Sequence, residues 1–388
     1  MLGLKALDIT KFFGETTGGI RTYLLEKARF VSGQEDLQHV VVIPAEEDSV
    51  MDQGGTRWYR LTGRRIPTQS PYRFLLRRRS IEKILQRERP DIIEVGSPYL
   101  VPWITRKAAA SLRIPLVWFY HTNFPRIISP RPDRDGLIRR SAGRLAERYV
   151  SRLSRVFDAA IGASQVAVDA LDQAGFRRTG RIPLGVSLEL FHPDRREYAA
   201  RTRRSRGLPD GPLAIFVGRL AREKELSLVI DAWPQVEKTT GATLVLVGDG
   251  PSSDYFRRRC KATRVAWLPF EADRERLADL LACADIYLAP GPAETFGLAA
   301  LEGMSSGLPV VASDRGAVRE LVEASGAGVV NPEPDPGAMA ESIIRLLGQD
   351  LRQLGGLGRR YAEAHHSWES VFGRLFEFYR GIIADHRA

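Results

Sequence analysis

Short apolar runs of strand length alternate with helix-length periodic segments along nearly the whole chain. In the first half, the predicted strands are 5–9, 39–43, 92–95, 115–120 and 159–163, and the helices include 20–31, 72–89 and 137–157. In the second half, the strands are 213–217, 244–247, 265–267, 286–289 and 309–312, and the helices are 226–236, 254–263, 275–282 and 298–304. Such alternation predicts parallel sheets covered by helices on both faces. Two series predict an α/β chain with two doubly wound, Rossmann-like domains.

A polar, charged stretch with Pro and Gly separates the two series. We predict an N-terminal domain over 1–190, a linker over 191–211 and a C-terminal domain over 212–366. The last stretch, 367–388, is predicted to be an amphipathic helix that crosses back to the N-terminal domain. Ligands of open α/β sheets bind outside the carboxyl ends of the strands. The expected site is therefore a cleft between two facing sheets.

Composition excludes several classes of protein. No run approaches about 18 uninterrupted apolar residues, so no transmembrane helix is expected. The two cysteines, Cys260 and Cys283, are too few for a disulfide framework or a structural zinc site. Charges at Lys5, Asp8 and Lys11 interrupt what would be the apolar core of a signal peptide. We therefore expect a cytoplasmic protein.

The positive charge is concentrated in the first half. Of the net charge of +10, all comes from residues 1–190, which hold 31 of the 57 Lys and Arg residues and 20 of the 47 Asp and Glu residues. This imbalance predicts an anionic partner for the N-terminal half. Two basic segments, 72–89 and 126–155, are candidates for binding an anionic membrane surface. The alternative, in which each is a solvated helix face packed on the sheet, is equally compatible with the pattern.

The most informative stretch is 290–314, PGPAETFGLAALEGMSSGLPVVASD. A predicted strand runs into a loop, and a helix is expected to begin near Gly297. The backbone N–H groups at this helix start belong to Thr295, Phe296, Gly297 and Leu298. Unsatisfied donors and the helix dipole make such a start an anion site, suited to a diphosphate. Gly297 has no Cβ, so a phosphate can approach the main chain closely.

Two glutamates flank this helix start. Glu302 is placed about one turn inside the helix, where it can accept hydrogen bonds from a diol such as a ribose. Glu294 precedes the helix and can accept from sugar hydroxyls. For an isolated pair, a capped helix with two solvated glutamates would be the simpler interpretation. The continuous strand, loop and helix pattern favours a binding site instead.

The chain resembles the retaining glycosyltransferases of family four, which have the GT-B fold. Their signature is two glutamates with seven residues between them, here Glu294 and Glu302, in a passage P-x-x-x-E-T-F-G-L-x-x-L-E-x-M-x-x-G-x-P-V-V-A. Further matching segments are Gly18-Gly19-Ile20, Gly218-Arg219-Leu220, Glu223-Lys224 and Val247-Gly248-Asp249-Gly250-Pro251. The resemblance covers nearly the whole chain, and it implies that the domain over 1–190 binds the acceptor and that the domain over 212–366 binds the nucleotide sugar.

The resemblance implies roles for individual residues. Arg219 and Lys224 are expected to bind the donor diphosphate, Glu302 the ribose and Glu294 the transferred sugar. His121, in FYHTNFP, is expected to lie beside that sugar. The loop of Gly18 and Gly19 is expected to lie over the phosphates and acceptor, and Gly218 and Gly250 are further donor-binding candidates. Cations at a strand's carboxyl end suit a diphosphate, although alone they would be taken for a solvated turn.

The implied reaction transfers a hexose of the mannose or glucose type from a GDP- or UDP-linked sugar, with retention of configuration and without a metal or other cofactor. The segments PDIIEVGSPYLVPW and FYHTNFPRIISP are most similar to the glycolipid branch, including lipid mannosyltransferases and sulfolipid synthases. We therefore expect a lipid-linked or cell-envelope glycan acceptor and a peripheral position on the inner face of the plasma membrane.

Three alternatives remain open from the sequence. The same donor chemistry could act on a small soluble acceptor. A basic nucleic-acid-binding module without catalysis is a second alternative, but no helix-turn-helix or RNA-binding motif is present, so no nucleic-acid partner is expected. The third is a fold relative such as a sugar-nucleotide epimerase or a phosphorylase, which the passage containing Glu294 and Glu302 disfavours.

Overall fold

The protein folds into two compact units. The structure, a computed structural model, describes residues 3–14, 18–67, 71–129, 131–260 and 263–387. The first unit comprises Met1–Pro125, Arg140–Leu184 and Trp368–Ala388, and the second comprises Arg126–Arg139 and Gly185–Ser367. A short segment from the first half of the chain therefore belongs to the second unit.

Eight strands form the sheet of the first unit: β1 Leu4–Ile9, β2 Leu37–Ala45, β3 Ser49–Gln53, β4 Thr56–Thr62, β5 Ile92–Val95, β6 Leu116–Phe119, β7 Ala159–Gly162 and β8 Thr179–Arg181. Their order is β3-β4-β2-β1-β5-β6-β7-β8, and every pair is parallel except β3 with β4. The chain winds outward in both directions from β1. The strand order thus reverses between β1 and β5.

Six parallel strands form the sheet of the second unit: β9 Leu213–Val217, β10 Thr243–Val247, β11 Val265–Leu268, β12 Ile286–Ala289, β13 Val310–Ala312 and β14 Gly328–Val330. Their order is β11-β10-β9-β12-β13-β14. This is the doubly wound order, with its reversal between β9 and β12. The prediction of an α/β chain with two doubly wound sheets is confirmed.

Helices cover the sheets in both units. In chain order they are α1 Gly19–Ser32, α2 Arg78–Glu88, α3 Val101–Leu112, α4 Phe124–Ile128, α5 Leu137–Leu153, α6 Gln165–Gln173, α7 Ala199–Ser205, α8 Leu226–Thr240, α9 Ser253–Arg259, α10 Arg274–Ala282, α11 Leu298–Ser305, α12 Ala317–Ser325, α13 Pro336–Leu347, α14 Leu351–His365 and α15 Trp368–Arg387. The described residues also form two 3-10 helices, Pro193–Tyr198 and Arg222–Lys224. The predicted helix 254–263 ends earlier, and its residues 261 and 262 lie outside the described part of the chain.

The predicted helix 72–89 begins six residues later than expected, at Arg78. The preceding residues are extended instead, because Ile66 N–H donates to Tyr72 O at 2.9 Å and Phe74 N–H donates to Arg64 O at 2.9 Å. The apolar side chains of α2 are buried in the core of the first unit: Ile81, Ile84 and Leu85. Of the two alternatives for segment 72–89, the one in which the helix packs in the protein core is therefore correct for α2. Its apolar face is not available to a membrane.

The hairpin of β3 and β4 was missed from the sequence. All five residues of β3 are exposed, so this edge strand has no alternation of apolar and polar positions. Gly54 and Gly55, with φ of +54° and +73°, form its two-residue turn. Strands β8 and β14, of sequence TGR and GVV, are also absent from the prediction, because neither is a continuous apolar run of strand length.

The segment predicted as a linker, 191–211, is folded into the second unit. It contains the 3-10 helix Pro193–Tyr198 and α7, and its charged side chains pair with α10 and the residues that follow it. Arg195 Nη1 donates to Asp279 Oδ1 at 2.7 Å, and Arg203 Nε donates to the Cys283 carbonyl at 3.0 Å. High charge here reflects ion pairing rather than an open connection.

Helix α15, close to the chain terminus, packs in the first unit. Its Phe372 ring lies 5.6 Å from Tyr23 and 5.5 Å from Phe30, measured between ring centroids, and both partners are on α1. Tyr379 Oη lies 2.9 Å from the Lys27 ammonium. One face of α15 is thus part of the first unit's core.

Candidate active site

The reversal of strand order in the second unit brings two loops together. One loop follows β9 and the other follows β12, and these strands are neighbours in the sheet. Tyr287, within β12, donates a hydrogen bond from its hydroxyl to the Val217 carbonyl at the end of β9, at 3.1 Å. Parallel α/β sheets bind ligands at such a reversal. Most of the predicted donor-binding residues lie on these two loops.

The loop after β9 is fixed to the loop after β10. Gly218 N–H donates to Val247 O, and Leu220 N–H donates to Asp249 O, both at 3.0 Å. A Cβ on Gly250 would lie 2.4 Å from the Leu220 carbonyl oxygen, so close packing requires glycine there. The structure therefore gives Gly250 a packing role, and its donor contact stays a prediction. Arg219, between these anchors, exposes its side chain.

Lys224 and Glu294, predicted from separate motifs, form an ion pair. Lys224 ends the 3-10 helix Arg222–Lys224, and Glu294 lies in the loop after β12. The loop that carries Glu294 also passes close to Lys224, since a Cβ on Gly291 would lie 3.1 Å from the Lys224 Cα. The ion pair joins the loop after β9 to the loop after β12. The contacts of Lys224 with a donor diphosphate and of Glu294 with a sugar stay predictions.

The helix start predicted to hold an anion is present. Gly297 precedes α11 with φ of +90°, and a Cβ there would lie 2.3 Å from Val318 Cγ2. The first helical bond runs from Leu301 N–H to Gly297 O at 3.0 Å. The N–H groups of Leu298 to Ala300 precede that bond and have no acceptor within the helix. They form the first turn of a potential anion site.

The two residues before Gly297 differ in their environment. The Phe296 side chain is buried, with its ring 5.6 Å from that of His366, so it belongs to the core and only its main chain can serve a ligand. Thr295 is half-buried in the loop and has an interaction of its own. The predicted phosphate contacts of both main-chain groups stay predictions.

Glu302 is a buried carboxylate held by an arginine that the sequence did not reveal. It is 2% exposed, and Arg274 Nη2 donates to its Oε1 at 2.7 Å. Burial raises the pKa of Glu302, and the charge of Arg274 and its hydrogen bond act in the opposite direction. Arg274 is the first residue of α10, far along the chain from the recognised passage, and no motif or spacing marks it.

His121 follows β6 in the first unit. Its ring stacks on Phe119 with centroids 4.1 Å apart and lies edge-on to Tyr23 at 5.2 Å. A Cβ on Gly96 would lie 3.1 Å from the Thr10 Cβ and 3.6 Å from His121 Cδ2, so the carboxyl ends of β1, β5 and β6 converge here. Burial lowers the pKa of His121 to about 3. The imidazole is therefore neutral at physiological pH.

Gly18 and Gly19 lie at the start of α1 in the first unit. Gly18 precedes the helix with φ of −85°, is exposed, and has no described atom within 4 Å of where a Cβ would lie. Gly19 is the first residue of α1. Residues 15–17 lie outside the described part of the chain, so the predicted loop over the phosphates stays a prediction.

Sequence reasoning also missed a buried charged network in the first unit. Lys27 on α1 is fully buried and lies 2.9 Å from Asp8 on β1 and 3.4 Å from Glu94 on β5. Tyr23 donates to Glu94 at 2.9 Å, and Tyr379 of α15 also bonds Glu94. Buried charges persist when they are paired and hydrogen-bonded. Helical periodicity had placed Lys27 among ordinary helix residues, because tertiary pairing leaves no local pattern.

Within the described ranges, no group of three or more His, Cys, Asp or Glu side chains is arranged to hold a metal ion. The absence of a metal from the reaction stays a prediction. Among the helices of these ranges, none is long and apolar enough to cross a bilayer.

Comparison with known proteins is consistent with the two units. Residues 17–190 match the family profile described as Glycosyltransferase Family 4, and residues 211–349 match the profile described as Glycosyl transferases group 1. A GDP-mannose-dependent alpha-(1-6)-phosphatidylinositol dimannoside mannosyltransferase from Mycobacterium tuberculosis is 30% identical, over 93% of this chain and 92% of that protein. The chain belongs to glycosyltransferase family 4.

Two further similarities extend this result. Sulfoquinovosyl transferase SQD2 of Arabidopsis thaliana is 30% identical over 75% of this chain and 56% of that protein. The solved structure of a sucrose-phosphate synthase from Thermosynechococcus elongatus superposes with a TM-score of 0.77 at 21% identity, covering 98% of this chain and all of that one. The predictions of an enzyme, a glycosyltransferase with the GT-B fold, are confirmed. The roles of individual site residues stay predictions.

Proposed function

We propose that this family 4 glycosyltransferase transfers a hexose, with retention, from a nucleoside-diphosphate sugar to a lipid-linked acceptor. GDP-mannose is the first donor to test, because the mycobacterial relative is named as dependent on it. A lipid-linked acceptor is supported by the same relative, whose named substrate is a phosphatidylinositol dimannoside. A UDP-linked sugar is the alternative donor, and a small soluble molecule is the alternative acceptor.

The observation that carries the proposal is the set of groups at the reversal between β9 and β12. Lys224 supplies a cation, and the first turn of α11 supplies main-chain donors, so both suit a diphosphate. Glu294 and Glu302 supply carboxylates for hydroxyl groups. A nucleoside-diphosphate sugar carries this combination of a diphosphate and hydroxyl-bearing rings on either side of it.

The proposed chemistry breaks the bond between the anomeric carbon and the diphosphate oxygen. The acceptor hydroxyl attacks from the same face, and its proton passes to the departing phosphate oxygen. Charge that grows on that oxygen is stabilised by Arg219, Lys224 and the start of α11, which together replace a metal cation. Neutral His121 is proposed to hydrogen-bond the transferred sugar without carrying charge into the site.

A thermal-shift panel of GDP, UDP, GDP-mannose and UDP-glucose tests the donor assignment. A ligand that binds the native state raises the melting temperature. We expect one nucleotide series to stabilise the protein clearly, and Lys224→Ala and Glu302→Ala to weaken that response. Lys238→Ala, at an exposed position on α8, is the matched control and is expected to respond like the parent. If no nucleotide shifts the parent, the proposed function is wrong.

Product analysis tests the transfer itself. Incubation with the stabilising donor and a lipid extract is expected to place the sugar in the organic phase, with the anomeric configuration of the donor. Proton NMR of the isolated product reads that configuration directly. Sugar recovered only in polar metabolites would establish the soluble acceptor instead. An inverted product would exclude the retaining mechanism.

A membrane partner is proposed from the surface of α5. Leu137, Ile138 and Leu145 are 72%, 86% and 66% exposed on this helix. Arginines that are also exposed surround them: Arg139, Arg140, Arg144, Arg148 and Arg152. Exposed apolar side chains among basic residues are typical of helices that lie on anionic membranes. Nearby, Trp103 of α3 is 42% exposed and donates to Tyr149 of α5 at 3.2 Å.

Sedimentation with vesicles tests this partner. At low salt we expect the protein to pellet with vesicles containing phosphatidylglycerol and to stay in solution with phosphatidylcholine alone. The double substitution Ile138→Ser and Leu145→Ser is expected to reduce binding strongly. Met51→Ser, at an exposed apolar residue of β3, is the control and should bind like the parent. Equal binding by all three proteins would remove α5 from the proposal.

A further inference from the structure

Arg274 contacts only one of the two oxygens of Glu302. Its Nη2 donates to Oε1 at 2.7 Å, and among the described residues no hydrogen bond reaches Oε2. Glu302 is almost completely buried, whereas the Arg274 side chain is 35% exposed. Oε2 is not among the fully buried side-chain atoms that lack a partner in the described part of the chain, so it keeps access to solvent. The arrangement therefore leaves an accessible acceptor for which the described residues supply no hydrogen bond.

The position of Arg274 is fixed by more than its ion pair. Its guanidinium lies over the Phe191 ring, 4.7 Å from the ring centroid. Phe191 is fully buried, and its carbonyl accepts hydrogen bonds from Ser305 Oγ and from Arg359 Nη1, both at 2.7 Å. Ser305 lies on α11, the helix of Glu302. The ring that supports Arg274 is thus attached to the helix that carries the carboxylate.

An arginine suits this task better than a lysine. The planar guanidinium can stack on a ring and donate in a fixed direction, whereas an ammonium is a mobile point charge. Burial alone favours the protonated form of Glu302, which could offer only one oxygen as a full acceptor. The cation of Arg274 favours the ionised form, which accepts at both oxygens.

We propose that Arg274 is a positioning residue for nucleotide recognition, which bonds Oε1 of Glu302 and leaves Oε2 to accept from the vicinal hydroxyls of the donor's ribose. The inference rests on the proposed function, because it takes the ligand to be a ribonucleoside diphosphate. It adds the residue that makes Glu302 selective for a ribose. Arg274 itself need not touch the nucleotide.

The test compares ribonucleotides with their deoxy analogues. Affinities for GDP, 2′-deoxy-GDP and 3′-deoxy-GDP, with the UDP series in parallel, are measured by titration calorimetry. In the parent we expect loss of the bonded hydroxyl to weaken binding roughly 10- to 100-fold, as for a hydrogen bond to a charged group. In Arg274→Ala we expect binding of the ribonucleotide to weaken more than binding of its deoxy analogue. The ratio of the two affinities then falls to about threefold or less. Arg274→Lys is expected to restore part of the ratio.

The pH dependence supplies a second readout. In Arg274→Ala, burial of Glu302 is no longer opposed by a cation, so affinity for the ribonucleotide is expected to rise from pH 6 to pH 8. Affinity of the same variant for the deoxy analogue is expected to rise less, because in this range only the terminal phosphate that both ligands share changes its ionisation. Arg276→Ala, which removes an exposed arginine on the same helix, is the matched control and should keep the parent ratio.

The outcomes separate the inference from the function on which it rests. If no ribonucleotide binds the parent, or if the parent does not distinguish ribose from deoxyribose, the ribose assignment fails and the inference fails with it. If the parent discriminates and Arg274→Ala discriminates equally, only the inference is wrong. If Arg274→Ala weakens the binding of ribonucleotides and deoxynucleotides equally, Arg274 contacts the ligand directly and the positioning role is wrong. If Arg274→Ala does not fold, the ratio in Arg274→Lys decides.

Discussion

Arg131 Nε lies 3.0 Å from Glu225 Oε1, although the two residues are 94 positions apart in the chain. Arg131 belongs to the segment Arg126–Arg139, which is part of the second unit. Its Nη1 also lies 3.1 Å from Asp314 Oδ1. Glu225 directly follows Lys224, and Asp314 follows the recognised passage. One buried arginine therefore connects the end of the loop after β9, which carries Lys224, to the loop after β13.

Replacement of Arg131 by alanine is expected to destabilise the second unit. The arginine side chain is 8% exposed, and its loss removes the cation from the partly buried Glu225 and leaves Asp314 with Arg315 at 3.5 Å. Breaking such a pair costs about 2–4 kcal/mol, or roughly 5–10 °C in a thermal unfolding midpoint. Arg276→Ala is the control, because its pair with Asp273 is exposed and is worth less than about 1 kcal/mol. Equal shifts in the two variants would contradict the prediction.

The buried network of the first unit predicts a dependence of stability on pH. Burial and the nearby charge of Asp8 raise the pKa of Glu94 to about 8 from its ordinary value of 4.5. Between these values the folded protein holds a proton that the unfolded chain releases. Raising the pH through this window therefore favours unfolding. In the described part of the chain, the titratable groups that face Glu94 are Asp8 of β1, Tyr23 and Lys27 of α1 and Tyr379 of α15.

Glu94→Gln replaces the titrating carboxyl group with an amide, which does not lose a proton in this pH range. Between pH 6.5 and 9 we expect the unfolding midpoint of the parent to fall by several degrees and that of the variant to change much less. The measurements begin at pH 6.5 because His39, which contacts Asp8, also titrates. Burial lowers the pKa of His39, so its protonation affects the stability at lower pH. Glu35→Gln, at an exposed position, should keep the slope of the parent. Identical slopes in the parent and Glu94→Gln would exclude the raised pKa.

The sequence predicts most of the secondary structure of this protein, but not all of it. Local periodicity was sufficient for most strands, because buried parallel strands are continuous apolar runs. It failed for β3, which is wholly exposed, and for residues 72–77, whose extended form depends on pairing with residues 64–66. Because the periodic pattern cannot show this pairing, it predicts a helix that includes Phe74.

The candidate site divides in a similar way. Lys224, Glu294 and Glu302 were found because they lie in continuous motifs at strand ends and at a helix start. Arg274 and Arg131 were not, since their partners are far along the chain and pairing depends on how the elements pack. Such contacts leave no periodic signal in a single sequence.

His121 is expected to act as a neutral hydrogen-bonding group. His121→Ala is expected to lower kcat by roughly 10- to 100-fold, the effect of losing one hydrogen bond to a charged transition state. Because burial lowers its pKa to about 3, the pH profile of kcat/KM should show no acidic limb near pH 6.5 from this residue. His386→Ala, near the chain end, serves as the control. An acidic limb in the parent that disappears in His121→Ala would contradict this assignment.

Gly297 is expected to tolerate no side chain, for two separable reasons. Its φ of +90° is strained for any other residue, and an added Cβ would lie 2.3 Å from Val318 Cγ2. Gly241, also in the second unit, has φ of +67° but no described atom within 4 Å of its added Cβ. Gly241→Ala therefore carries only the backbone strain of about 1 kcal/mol. Gly297→Ala adds overpacking and should cost about 2–4 kcal/mol in total.

Ligand binding separates the two glycine variants further. Gly297→Ala is expected to lose most of the thermal shift produced by the nucleoside diphosphate, because relief of the clash must move the first turn of α11. Gly241→Ala is expected to keep the full shift, since the helix that it ends, α8, contributes no predicted contact at its carboxyl terminus. Both are measured by thermal unfolding with and without nucleotide. If Gly297→Ala bound nucleotide as tightly as the parent, the start of α11 would not be the diphosphate site.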